Sequence, residues 1–148
     1  MNRVFFYIKK QLFEKRTVGF YLGLASALWM LASDIVYMSL DAGALKIEDY
    51  SKTLAFWMIL IGVLAELTHV FVNERHLSPV LPLLPVVFYS IGLGRQLYLT
   101  AYPIADVMTG VNWFGGNLSV YLTCFILFFI GTVAAIVSSF MRQRKDEA

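Results

Sequence analysis

Four apolar stretches, each about as long as a helix must be to cross a bilayer, constrain this chain more than anything else in it. They run over residues 17–40, 53–73, 78–101 and 117–141. Crossing about 30 Å of hydrocarbon takes about 20 helical residues. In lipid every backbone N–H must pair within its own segment or a closed barrel, so runs of this length read as helices. Between them lie a polar hairpin over 41–52, a tight turn at Asn73, Glu74, Arg75 and His76, and a Gly-, Asn- and Trp-containing loop over 102–116. Connections this short set neighbouring helices antiparallel. The expected fold is all-α: a polytopic membrane protein, one domain over 1–148, built as an antiparallel four-transmembrane-helix bundle.

Composition agrees, because 59% of residues are hydrophobic and only 15% charged, against about 45–50% and 25% for a soluble domain. The net charge of +2 gathers on no nucleic-acid-binding module, so no such partner is expected. The single cysteine, Cys124, excludes an intramolecular disulfide, a paired-thiol redox centre and a thiolate zinc site. No cofactor is expected.

Orientation follows from lysine and arginine, which favour the cytoplasmic side. Arg3, Lys9, Lys10, Lys15 and Arg16 precede the first stretch, Arg75 sits in the second turn, and Arg142, Arg144 and Lys145 follow the fourth. Only Lys46 and Lys52 fall in the opposite loops. Both termini are therefore expected in the cytoplasm. The apolar run after the basic start continues without a cleavage site, which reads as an uncleaved first span. Val4, Phe5, Ile8 and Leu12 lie opposite Lys9, Lys10 and Gln11 at helical spacing, so residues 2–15 are expected to form an amphipathic helix in the interface. Attraction to anionic lipid or a cytoplasmic partner competes there with plain anchoring. Pro79, Pro82 and Pro85 predict an irregular start to the third span.

Ionisable groups inside a span cost at least about 2.5–3.5 kcal/mol, so each needs a partner, water or a purpose. Asp34 and Arg95 both lie roughly 25 Å from the cytoplasmic entry of their spans, which suggests an intramembrane ion pair. It would be either structural or the floor of an outward-facing pocket with Tyr98 and Tyr102. Glu66, His69 and Asn73 follow Gly62 on one helical stripe. That stripe is either a proton relay or a hydrogen-bonded seam setting helix register. Gly19, Gly23 and Ala27 in the first span, and Gly131, Ala135 and Ser139 in the fourth, have the small-xxx-small spacing of close helix packing. Spacing alone leaves open whether the fourth span meets the first or another subunit. In the outer loop, Asp106, Asn112, Trp113 and Asn117 form either a recognition surface or an interfacial anchor with a helix cap.

The run Lys15-Arg16-Thr17-Val18-Gly19-Phe20-Tyr21, with Ile104-Ala105-Asp106-Val107 and Asn112-Trp113-Phe114-Gly115-Gly116-Asn117, resembles an uncharacterised family of small four-span integral membrane proteins of Firmicutes-type bacteria. The resemblance implies this topology and a bacterial plasma membrane. It brings no activity and no site residue. Small multidrug exporters fit less well, because they rely on a glutamate in their first helix where this chain has Asp34 near the far end. Disulfide-forming enzymes linked to quinones need several cysteines.

Two functions remain. An accessory or assembly subunit binding other membrane protein, or its own copies, accounts for the packing faces and for the absence of a nucleophile with its base. A small proton-coupled transporter acting as a homo-oligomer accounts better for Glu66 and His69. An enzyme is not expected.

Overall fold

The computed structural model describes residues 16–40, 51–71, 80–111 and 113–141. These form four helices: α1 Val18–Ser39, α2 Thr53–Phe71, α3 Leu83–Met108 and α4 Leu118–Ser139. The expected amphipathic helix over 2–15 lies outside the described residues. The helices make an all-α antiparallel bundle in which each packs on two neighbours. The interfaces α1/α2, α2/α3, α3/α4 and α1/α4 close a ring, so α1 and α3 stand on its diagonal. We call distal the end where α1 finishes, α2 begins and the 109–117 connection lies.

Among the described residues, α1, α2 and α4 are long and apolar enough to cross a membrane. Their outward faces carry large exposed apolar side chains such as Leu28, Ile35, Trp57, Leu64, Ile126 and Phe129. A continuous apolar belt of this kind suits lipid contact and would be a liability in water. α3 is the longest at 26 residues, about 39 Å at roughly 1.5 Å per residue, but is less apolar, carrying Arg95, Gln96 and three tyrosines.

The start of the third span is irregular through residue 82, as its prolines predict, and regular beyond it. Residues 80–82 form a turn, the helix begins at Leu83, and Pro85 falls in its first turn, where its missing N–H would have had no intrahelical partner. The helix begins later than the sequence pattern suggests and runs on past residue 101 to Met108. Pro103 lies within that extension, buried, and withholds an N–H from the carbonyl of Leu99 one turn back.

Helix ends are closed by specific groups. The Lys52 ammonium donates to the carbonyls of Tyr37, at 3.0 Å, and Leu40, placing a cation on the negative end of α1. The Asn117 side chain accepts from the Ser119 N–H at 2.9 Å, capping α4. The connection folds back on α3, because the Asp106 carboxylate accepts from the Phe114 N–H at 2.8 Å. Gly110, Gly115 and Gly116 take positive φ in that return, a conformation that side chains resist.

Packing inside the ring is knob into glycine. A Cβ added at Gly62 would come within 2.6 Å of the Tyr89 ring, and one at Gly92 within 2.6 Å of Ile59. α2 and α3 thus each lend the other a notch. At the α1/α4 interface Met30 fills the notch at Gly131, and the Trp29 indole donates to the Leu127 carbonyl at 2.9 Å. Gly131 of the fourth span therefore faces α1 of the same chain, whereas Ser139 is partly exposed and bonds to the Ile136 carbonyl of its own helix. Gly19, Gly23 and Ala27 lie on the buried face of α1, and Ala135 on that of α4.

Candidate functional site

The interior of the ring is polar at several levels. Glu66 on α2 is 2% exposed, and its Oε2 accepts from the Tyr89 hydroxyl of α3 at 2.7 Å and from the Ser26 hydroxyl of α1 at 3.3 Å. Each donor stands on a different neighbour, so one carboxyl ties three helices. The Ser26 hydroxyl is also 3.3 Å from the Gly131 carbonyl of α4, and its one proton is shared between the two acceptors. That brings all four helices to one level. The notch at Gly62 creates this geometry, because the Tyr89 ring lies across it and its hydroxyl reaches Glu66 one turn on. Oε1 of Glu66 is buried without a hydrogen-bond partner.

His69 follows one turn later on the same buried face of α2. Asn73, expected to continue that stripe, lies outside the described residues. Arg16 packs its guanidinium over the Phe20 ring, 4.3 Å from the centroid.

Asp34 and Arg95 are not joined by a hydrogen bond. Asp34 is 1% exposed on the inner face of α1, and neither carboxyl oxygen has a hydrogen-bond partner. Arg95 is half-buried and lies over the Tyr98 ring, 5.3 Å from its centroid. Equal depth does not bring them together because α1 and α3 are diagonal. The α3 residue at that level turned inward is Gln96, 1% exposed, one position and about 100° round the helix from Arg95. Its Nε2 donates to the Tyr121 carbonyl at 3.3 Å, while its Oε1 is buried with no partner.

Three further buried hydroxyls are accounted for locally. Ser33, Thr100 and Thr132 donate to the carbonyls of Trp29, Gln96 and Phe128, each one turn back. At the distal end Tyr37, Lys52, Gln96, Thr100, Val120, Tyr121 and Cys124 line a partly open, largely apolar space of about 10 Å³. The Lys52 ammonium stands 5.1 Å from the Tyr37 ring centroid, whose edge packs on Phe128 at 5.1 Å.

The residues expected in the outer loop have separate placements. Asp106 holds the loop backbone and Asn117 caps α4, both engaged with backbone N–H groups. Trp113 is exposed and packs edge-on against Phe114, which faces Tyr102 at 6.3 Å. Asn112 lies outside the described residues. No group of three or more His, Cys, Asp or Glu side chains gathers among the described residues.

Ser26, Tyr89 and Gln96 are the interior residues that reading the sequence for charge overlooks. Tyr89, Gly92, Gln96, Leu99 and Pro103 form the buried stripe of α3 at three- and four-residue spacing, and that stripe was the available signal. Comparison of the chain with protein-family models, with curated proteins and with solved structures finds no match. The structure therefore carries the functional reading alone, and no family is identified.

Proposed function

We propose that this protein is a non-catalytic, four-span subunit of a bacterial plasma membrane, with both termini cytoplasmic, that assembles with other membrane protein. The observation that carries this reading is the hydrogen-bonded node at Glu66. A carboxyl that accepts from Ser26 and Tyr89 on two other helices is used as a fastener. The notches at Gly62, Gly92 and Gly131 are filled from within the chain, so partner protein would meet the exposed apolar faces instead. α3 serves as the fourth span in this reading, its Arg95, Tyr98 and Tyr102 placed near the headgroups, where arginine and tyrosine side chains are accommodated.

The second reading, a proton-coupled homo-oligomeric transporter, draws on Asp34. Two carboxyl oxygens without hydrogen-bond partners in the bundle interior are more than a fastener requires, and buried acids of this kind mark proton pathways in other membrane proteins.

Extraction from the native membrane in mild detergent, followed by native mass spectrometry, separates the two. A stoichiometric different protein supports the subunit reading. A homo-oligomer without partners overturns it, and proton flux in Glu66→Gln and Asp34→Asn then tests the transporter.

A further inference from the structure

We propose that the distal part of the outward face of α3 binds an anionic phospholipid, its phosphate on Arg95 and one acyl chain in an open notch at Gly94, which rests on α3 serving as the fourth span. Among the described residues, Arg95 is the one lysine or arginine inside a helix. Its depth follows from contacts with both neighbours. Ile59 fills the notch at Gly92, and α2 begins at Thr53, six residues nearer the distal end. Gln96 bonds to the Tyr121 carbonyl, and α4 begins at Leu118, three residues nearer that end. At equal rise per residue, both registers set those helix ends level with about residue 98 or 99 of α3, so Arg95 lies roughly 5 Å inside them. A guanidinium at that depth reaches the headgroup layer along its apolar stem.

The face suits both ends of a lipid. Arg95, Tyr98 and Tyr102 follow at three- and four-residue spacing along one side of the helix. Tyr98 and Tyr102 are 67% and 68% exposed, and Phe114 of the returning connection packs on Tyr102. A guanidinium offers paired N–H groups that match two phosphate oxygens, and each tyrosine hydroxyl adds a donor. Ile91 and Gly94, both exposed, continue this face towards the middle of the helix. A Cβ added at Gly94 would find nothing within 4 Å, whereas the notches at Gly62, Gly92 and Gly131 are each filled by a side chain of the bundle. The open notch lies between Ile91 and Tyr98, about one turn from each, where a chain hanging from a phosphate at Arg95 would run.

Charge selects the occupant. α3 has one other charged residue, Asp106, about 16 Å further along the helix, and its carboxylate is engaged with the Phe114 N–H. The helix is therefore basic where it meets the headgroups. A lipid of net negative charge complements that, whereas a zwitterionic headgroup brings a cation of its own. Among the described residues, α1, α2 and α4 are apolar enough to face lipid tails alone, and α3 falls short of them. A lipid held by its phosphate as well as by its chain suits that difference.

Solid-state NMR on the full chain in phosphatidylcholine bilayers doped with phosphatidylglycerol tests this. Dipolar transfer from lipid phosphorus should reach the Arg95 guanidinium, assigned through its neighbours Gly94 and Gln96, and should be several-fold weaker in phosphatidylcholine alone. Gly94→Leu closes the notch without meeting another side chain, and should cut transfer in the mixed bilayer several-fold. The proposal is overturned if Arg95 shows no phosphorus contact, as it would with a protein acid in that place. It is overturned equally if contact is as strong in phosphatidylcholine alone, or if Gly94→Leu leaves it unchanged. Transfer from lipid acyl protons to Ile91 separates two kinds of failure. Where it is absent, α3 is not a lipid-facing span and the reading beneath the proposal fails; where it is present without phosphorus contact at Arg95, only the binding site fails. Should Gly94→Leu fail to fold, the wild-type comparison of the two bilayers decides by itself.

Discussion

Replacing Tyr89 with phenylalanine tests the node at Glu66 directly. The ring still fills the notch at Gly62, so no cavity opens and only the hydroxyl is lost. Glu66 Oε2 would then keep only the Ser26 hydroxyl, at 3.3 Å and shared with the Gly131 carbonyl, while Oε1 already has no partner. Leaving a buried acceptor short of a donor costs about 1–3 kcal/mol in water-soluble proteins. Interhelical hydrogen bonds in membrane bundles average about 0.6 kcal/mol and reach about 1.7, because the unfolded chain in lipid finds other partners. The 2.7 Å bond is the shorter of the two made by this carboxyl, so Tyr89→Phe should fall in the upper part of that range, about 1–1.7 kcal/mol. Reversible unfolding in mixed lipid and detergent micelles measures it. Glu66→Met removes the acceptor without shortening the side chain, and the double variant should cost less than the two single costs combined by about 1 kcal/mol. A Tyr89→Phe cost below about 0.5 kcal/mol, or strictly additive costs, would refute the idea that this bond fastens α2 to α3.

Three other outcomes are expected. Gly131→Ala should destabilise at least as much as Gly92→Ala in the same unfolding assay, because the new methyl runs into the sulfur and Cγ of the fully buried Met30 and the Trp29 ring in the first case and into Ile59 alone, at 2.6 Å, among side chains in the second. The reverse order would contradict the packing described. Asp34→Asn should leave stability equal or higher, since no hydrogen bond is lost. A loss of about 3–5 kcal/mol would mean that Asp34 holds a buried charge partner after all. Asn117→Ala should cost about 0.5–2 kcal/mol and speed amide exchange at Ser119, whose N–H it uncaps. Unchanged exchange there would argue against the cap.

Apolar run length was enough to locate α1, α2 and α4, because a helix in lipid must satisfy its own backbone and shows this as an unbroken stretch. α3 was harder. Its prolines blurred the start, and its polar distal turns looked like loop, although Asp106 and the returning connection hold them helical. The short connections also implied an antiparallel bundle, and the helical stripe on α2 pointed to Glu66. What the sequence could not determine is which helix stands across from which. Depth along a helix is readable from residue count, whereas position around the ring depends on all four interfaces at once. That is why Asp34 and Arg95 share a level without pairing, and why Ser26 and Tyr89 became the partners of Glu66. It is also why the notch at Gly131 meets Met30 of the same chain, and why Gln96 holds the inward position that its charged neighbour was expected to take.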